Sequence, residues 1–200
     1  MPVAELLSRL PGHWRAATRH RFLDGVRDGT LPPAAFDRWL VQDAHFVADL
    51  LWFQARLLAR APREAQPVLV AGAAALVDEL AWFDDQAARR GLLADAPRQP
   101  ATAAYTTLLG RLDTTEPPAA LTALWAIERV YLEAWSSAAP GAPEYAPFLA
   151  HWTTPKFAAY IKDMERAADR LLAEAEPLEA LVTEVLRAEV AFWDMAVGGL

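Results

Sequence analysis

The chain contains no cysteine. That absence removes disulfides, thiolate metal sites, iron–sulfur clusters and any cysteine nucleophile at once. Positive charge is also short: 19 Lys and Arg stand against 26 Asp and Glu, a net charge of −7 with a pI near 5.1. Such a balance gives no general attraction to nucleic acid or anionic lipid, and no basic recognition helix is visible. Long hydrophobic runs are missing too. The most apolar stretch, Pro67 to Val77, is short and alanine-rich beside the roughly 20 residues of a membrane span, and Met1 to Arg15 lacks the basic start and cleavage site of a secretory leader. A soluble, cytoplasmic protein with neither nucleic acid nor membrane as partner is expected. Strand-type alternation of β-branched and aromatic residues is absent beyond a few positions.

What is present is a 54% hydrophobic, 22% charged chain of 200 residues, enough for a single domain over 1–200 with a large core. Periodicity near 3.6 residues recurs throughout, so the expected fold class is all-α, a bundle of roughly seven or eight helices. A first short segment is expected to end at Pro11-Gly12, and a second helix to run from about Trp14 to Arg27, stopping at Asp28-Gly29. Leu31-Pro32-Pro33 opens a long third helix to about Arg60, and a fourth spans about Ala65 to Arg90 before Gly91. Thr102 or a neighbour is expected to cap a helix to about Leu112, and Glu116-Pro117-Pro118 to start one reaching about Ala138. A turn or short helix near Glu144 to His151 leads to Thr154-Pro155, a cap followed by proline at the first helical position. Pro177 is expected to separate the last two helices.

Three acids fall on apolar stripes. Asp43 lies among Phe36, Trp39, Leu40, Phe46, Leu50 and Phe53; Glu189 fills a gap between Val185 and Phe192; Glu128 is enclosed by Leu121, Leu124, Tyr131 and Trp135. A carboxylate aimed into a core must be paired, hydrogen-bonded, protonated or placed beside a solvent-filled pocket. Pairing with Arg or Trp across the bundle is one outcome for each, most readily for Glu128 beside Arg129, and Glu79 near Leu80 and Phe83 is equally open. Metal chemistry of the di-iron type would need Glu-x-x-His, but Leu10, Ala17, Gln42 and Phe148 stand three before the four histidines. No metal or other cofactor is expected. Among eight Trp, eight Phe and four Tyr, Tyr105 and Phe46 are candidates to line a flat slot for a heteroaromatic ligand.

The run Leu31 to Asp43, reading LPPAAFDRWLVQD, and Glu189 to Ala196, reading EVAFWDMA, resemble the TenA family, also called thiaminase II or aminopyrimidine aminohydrolase. Ala104-Tyr105-Thr106, the segment Trp125 to Tyr131 and the segment His151 to Phe157 match in the same order, so the resemblance covers nearly the whole chain. It implies a heme-oxygenase-like fold, a homo-oligomer (tetramer or dimer), and a pocket for the aminopyrimidine half of thiamin or its breakdown products. By position, Asp43 matches the acid that hydrogen-bonds the pyrimidine, Tyr105 and Phe192 match pocket aromatics, and Glu189 matches the proton-exchanging acid. Phe46 and Trp152 stand where the best-known members have tyrosines.

Ala123 occupies the position of the family's nucleophilic cysteine, and Ile127 that of a tyrosine. The pattern therefore looks like the cysteine-free class, thought to hydrolyse formylated or free aminopyrimidine salvage intermediates to hydroxymethylpyrimidine. Such hydrolysis needs a positioned water, a carboxylate to shuttle its proton and a group to hold the ring. The expected roles are Glu189 as principal proton-transfer group, Glu128 as second acid, an Asp43 of ordinary pKa as ring anchor, and Tyr105, Phe46, Phe192, Tyr131 and Trp152 as substrate contacts. The competing readings are a pyrimidine-binding protein without turnover and a cofactor-independent oxidase of the same fold, the latter disfavoured by only four scattered histidines.

Overall fold

A computed structural model of the chain describes residues 2–93, 96–172 and 178–198. Among the described residues the regular structure is entirely helical: α1 (Ala4–Arg9), α2 (Pro11–Thr18), α3 (Arg21–Asp28), α4 (Pro33–Arg60), α5 (Gln66–Arg90), α6 (Pro100–Leu112), α7 (Pro117–Ala138), α8 (Ala146–Trp152), α9 (Pro155–Leu171) and α10 (Leu178–Val197). Eight of these helices have at least eight residues, and the other two, α1 and α8, are single short pieces of six and seven. Proline sets most of the starts. Pro11, Pro33, Pro100, Pro117 and Pro155 each occupy a first helical position, where the missing N–H costs nothing. Gly29 and Gly91 close α3 and α5 in the left-handed region, at φ 69° and 66°, a conformation that glycine adopts without strain.

Three local expectations change. Pro11 opens a helix instead of ending one, and the stretch 14–27 is two helices, α2 and α3. The break is at His20, which is extended and accepts a hydrogen bond from the Phe22 N–H on its ring Nδ1. Gln99, with no side-chain cap bond, precedes α6. Thr102 lies inside that helix and donates its hydroxyl to Gln42 Oε1 at 2.7 Å. Pro177 lies outside the described residues.

The long helix α4 packs against α5, α6, α7 and α10, and α7 is covered on its other sides by α2, α3 and α9. One end of this bundle is filled by rings: Phe22, Phe36, Trp39, Trp135 and Trp193 are all fully buried, with Trp39 and Trp135 at 5.0 Å between centroids and Phe22 and Trp193 at 5.2 Å. The run Pro67 to Val77 belongs to the 25-residue α5, which by length and composition alone is apolar enough to cross a membrane. In this fold α5 lies along α4 and α9, and its second half carries Asp78, Glu79, Asp84 and Asp85.

Candidate active site

Four carboxyls converge from four helices. Asp43 on α4 and Glu189 on α10 are 2% and 4% exposed, Glu128 on α7 is 7% exposed, and Glu79 on α5 is partly covered. None takes part in an ion pair among the described residues. Arg129, the candidate partner of Glu128, instead reaches Glu133 at 3.5 Å and lies over the Trp14 ring.

Aromatic side chains hold three of the four. Tyr131 donates its hydroxyl to Asp43 Oδ2 at 2.8 Å, Tyr105 donates to Glu189 Oε1 at 2.5 Å, and the Trp152 indole N–H donates to Glu79 Oε1 at 2.6 Å. Glu128 has no hydrogen-bond partner among the described residues and lines a cavity. Second-tier contacts fix the frame. Gln42, next to Asp43, accepts from the Gln99 N–H at 2.8 Å and donates to the Pro97 carbonyl at 3.0 Å. Asp49, about two turns further, accepts from Thr106 at 2.6 Å and pairs with Arg98. These bonds pin the start of α6 to α4 and so place Tyr105.

Burial dominates the electrostatics. It pushes Glu128 up to about 8, helped by the neighbouring charges of Glu79 and Glu189. It also pushes Glu79 and Glu189 up to about 7, against the opposing pull of their Trp152 and Tyr105 donors. Asp43 is not left at its ordinary value, as the sequence suggests. Burial, with Glu79 and Glu189 adding repulsion, drives it well above the usual carboxylate range despite the Tyr131 bond, because nothing cationic offsets the loss of water. Tyr105 and Tyr131 are likewise raised by burial and by the carboxyls they serve, so both remain O–H donors.

The cavity has a volume of about 490 Å³ and runs between α4, α5, α7, α8 and α9, within the size range of small-molecule sites. Of the residues singled out from sequence, Phe46, Glu128, Tyr131 and Trp152 line it. Asp43, Tyr105, Glu189 and Phe192 do not; they form the layer behind. The Phe46 ring lies 4.6 Å from Tyr105 and 5.9 Å from Phe192, and Asp43 is separated from the cavity by the Tyr131 hydroxyl. All eight residues thus form one contiguous assembly in two tiers.

Glu79, left open by the sequence, also lines the cavity, and Trp82, Phe157 and Tyr160 escape sequence reasoning. Gly72 offers a signal in hindsight, since a Cβ there would sit 2.1 Å from the Tyr160 hydroxyl and 2.2 Å from Gln54 Nε2. Only glycine lets those two groups meet behind α5. Three of the four histidines make local contacts, His20 as the cap of α3. His45 bonds the Ala96 carbonyl at 2.7 Å through Nε2, and His151 stacks on Trp82 at 4.1 Å. Among the described residues no three His, Asp or Glu side chains are grouped to hold a metal ion.

This architecture, a helical bundle with carboxyls buried against an aromatic cavity, has close counterparts. Residues 7–199 match the TENA/THI-4/PQQC family, and the chain belongs to it. A soybean (Glycine max) relative described as "Probable bifunctional TENA-E protein" is 33% identical over 204 residues, covering 94% of this chain and 89% of the relative. The solved structure of a TenA homologue from Pyrococcus furiosus superposes with a TM-score of 0.90 at 28% identity, over 98% of this chain and 100% of that one. A TenA homologue from P. horikoshii shares the fold at 18% identity with a TM-score of 0.90, covering 98% of each chain.

Proposed function

We propose that the protein is a cysteine-independent C–N hydrolase of thiamin salvage, converting aminomethylpyrimidine, or its N-formyl derivative, towards hydroxymethylpyrimidine. The observation that carries this reading is the unpartnered Glu128 carboxyl facing an aromatic cavity, backed by the Asp43–Tyr131 and Glu189–Tyr105 pairs. The TenA-E relative and the family match support it, and Ala123, fully buried on α7, leaves no thiol to take part.

In this reading the pyrimidine lies against Phe46, Tyr131 and Trp152. Asp43, an acid one hydroxyl away from the cavity, holds the ring by displacing Tyr131. Glu128 and Glu189, poised near neutrality, move the proton. A carboxylate takes a proton from water as its oxygen bonds to the methylene carbon, and the C–N pair leaves on nitrogen, which takes a proton from the second carboxyl and departs as ammonia. For the formamide, water adds at the formyl carbon and formate leaves, giving the amine.

The same reading takes the protein as a cytoplasmic homo-oligomer, tetramer or dimer. Val70 and Val77, on one face of α5, are 53% and 55% exposed, as an apolar face covered by another copy would be in the isolated chain; sedimentation of wild type and Val77→Asp tests this.

The deciding experiment incubates wild type and Glu189→Gln with thiamin, aminomethylpyrimidine and the N-formyl compound, and resolves products by mass. Ammonia or formate released by wild type, and strongly reduced in the variant, is the expected result. Stabilisation by the pyrimidines without any product would make the protein a binder instead.

A further inference from the structure

Two covered carboxyls, Glu79 and Glu128, face the cavity while Asp43 and Glu189 stay behind it. Glu128, 7% exposed, has no partner among the described residues, and Glu79 is held through Oε1 alone by Trp152. They come from different helices, α5 and α7, and line the same space. The walls between them are aromatic, with Trp82, Tyr131, Trp152, Phe157 and Tyr160 all contributing. Other charged groups on the lining are Asp78 on α5 and Lys156 on α9, both exposed. His151 on α8 is held towards its neutral form by burial. Carboxyls outnumber cations, and a carboxylate in such a place calls for a cationic donor.

A primary ammonium fits that demand. Its three N–H groups can serve two carboxylates at once, and aromatic faces favour a cation and its attached methylene. A hydroxyl or a formamide carries no charge and makes the arrangement costlier. We infer that Glu79 and Glu128 form the amine end of the cavity, receiving the protonated amine of an arylmethylamine, with Trp152 positioning Glu79. The inference takes the identity of the ring from the aminopyrimidine reading, but the charge of the group from these two residues. It implies that the free amine, not its formylated form, is the better ligand. Because both acids are partly protonated near neutral pH, seating a cation between them expels protons.

The test is calorimetric titration near pH 7.5 in two buffers of different ionisation enthalpy. The probes are aminomethylpyrimidine, hydroxymethylpyrimidine, benzylamine and benzyl alcohol, and the proteins are wild type, Glu79→Gln, Glu128→Gln and Trp152→Phe. Wild type is expected to prefer each amine over its alcohol by about tenfold or more, the worth of a charge-assisted hydrogen bond, and to release protons only with the amines. Either glutamine variant should erase most of that preference and reduce the proton release. Glutamine closely matches a protonated glutamate in shape, and a melting curve verifies that each variant is folded. Trp152→Phe should keep the preference but shift the pH at which protons are released.

Equal binding of amine and alcohol, or unchanged proton release in both glutamine variants, overturns the inference. The two readings fail separately. Pyrimidines bound without regard to the amine remove the amine end and leave the aminopyrimidine site, whereas benzylamine preferred and bound with proton release, but no pyrimidine bound, keeps the amine end and removes the pyrimidine.

Discussion

The two ends of the bundle share α4 and α7 and are both rich in aromatic rings, yet they differ in kind. Around Trp39 and Trp135 the rings are fully buried, and the Trp39 indole nitrogen has no hydrogen-bond partner among the described residues. Around Trp152 a comparable ring packs at 4.8 Å from Trp135, but its N–H is engaged by Glu79 and its far side opens on a cavity. Aromatic content therefore does not mark the site; the carboxyls do. At the filled end a buried polar atom is tolerated as the cost of a large apolar ring, whereas at the open end polar atoms are arranged in donor–acceptor pairs that favour the ionised acids against a burial that favours their protonation.

The sharpest break in that contrast comes from one substitution at each end. Trp135→Ala removes a fully buried indole from the filled end and is expected to cost about 3–5 kcal/mol, read as a drop in melting temperature or failure to fold. Glu128→Gln at the open end should do the reverse. It is expected to lower turnover by about 10²–10⁴-fold, the usual contribution of an acid–base group, while the melting temperature holds or rises. A large loss of stability in Glu128→Gln would mean that the open end is also structural.

The pH dependence separates the ends as well, since the carboxyls with raised pKa values lie at the open one. Glu79, Glu128 and Glu189 have folded pKa values of about 7, 8 and 7, above their ordinary carboxyl values. The folded state thus holds protons that the unfolded chain has released. Their contribution is fully present below the ordinary carboxyl pKa and is lost as pH rises through about 7 to 8. Denaturation midpoints should accordingly fall between about pH 5 and 8, and the fall should be shallower in Glu128→Gln. A slope unchanged in Glu128→Gln would place the titration elsewhere.

A smaller effect is expected where the cavity wall is tightest. A methyl at Gly72 meets the Tyr160 hydroxyl and Gln54 Nε2 at 2.1 and 2.2 Å, and Gln54 is fully buried while donating to the Leu69 carbonyl at 2.8 Å. Gly72→Ala must therefore push Tyr160 into the cavity or break the Gln54 bond, costing about 1–3 kcal/mol and raising KM more than it lowers kcat. The equivalent change at Gly110, where nothing lies within 4 Å, should be neutral or slightly stabilising.

The outline of this comparison was legible in the sequence, but its wiring was not. Asp43, Glu128 and Glu189 stand out because an acid on an apolar stripe breaks a local pattern of three to four residues, and local patterns are what one sequence displays. Their partners lie far along the chain: Tyr105 is 84 residues from Glu189, and Tyr131 is 88 from Asp43. Without the burial and the neighbouring Glu79 and Glu189, Asp43 reads as an ordinary carboxylate, although four acids crowded together without a cation cannot all stay ionised. Glu79 was ambiguous for a related reason. Helix α5 exposes small apolar residues on its outer side, so its inner face does not stand out. The break between α2 and α3 depends on a single ring nitrogen of His20 capping Phe22, a role that histidine seldom advertises.

The mildest change probes whether the cavity edge is set by local helix chemistry. Thr154 is extended, accepts from the Phe157 N–H at 3.1 Å and begins α9 with Pro155, so the cap is intrinsic to the segment. Thr154 and Phe157 also line the cavity, whereas the caps of α4 and α7 at the other elements carry no side-chain bond. Thr154→Ala should cost about 1 kcal/mol and fray the first turn of α9, loosening Phe157 and Lys156 where they face the ligand. The expected signature is a modest fall in melting temperature with a rise in KM and little change in kcat, restored by Thr154→Ser. If KM stays constant while stability falls by that amount, the edge of the cavity is held by packing against α5 and α7 and not by the cap.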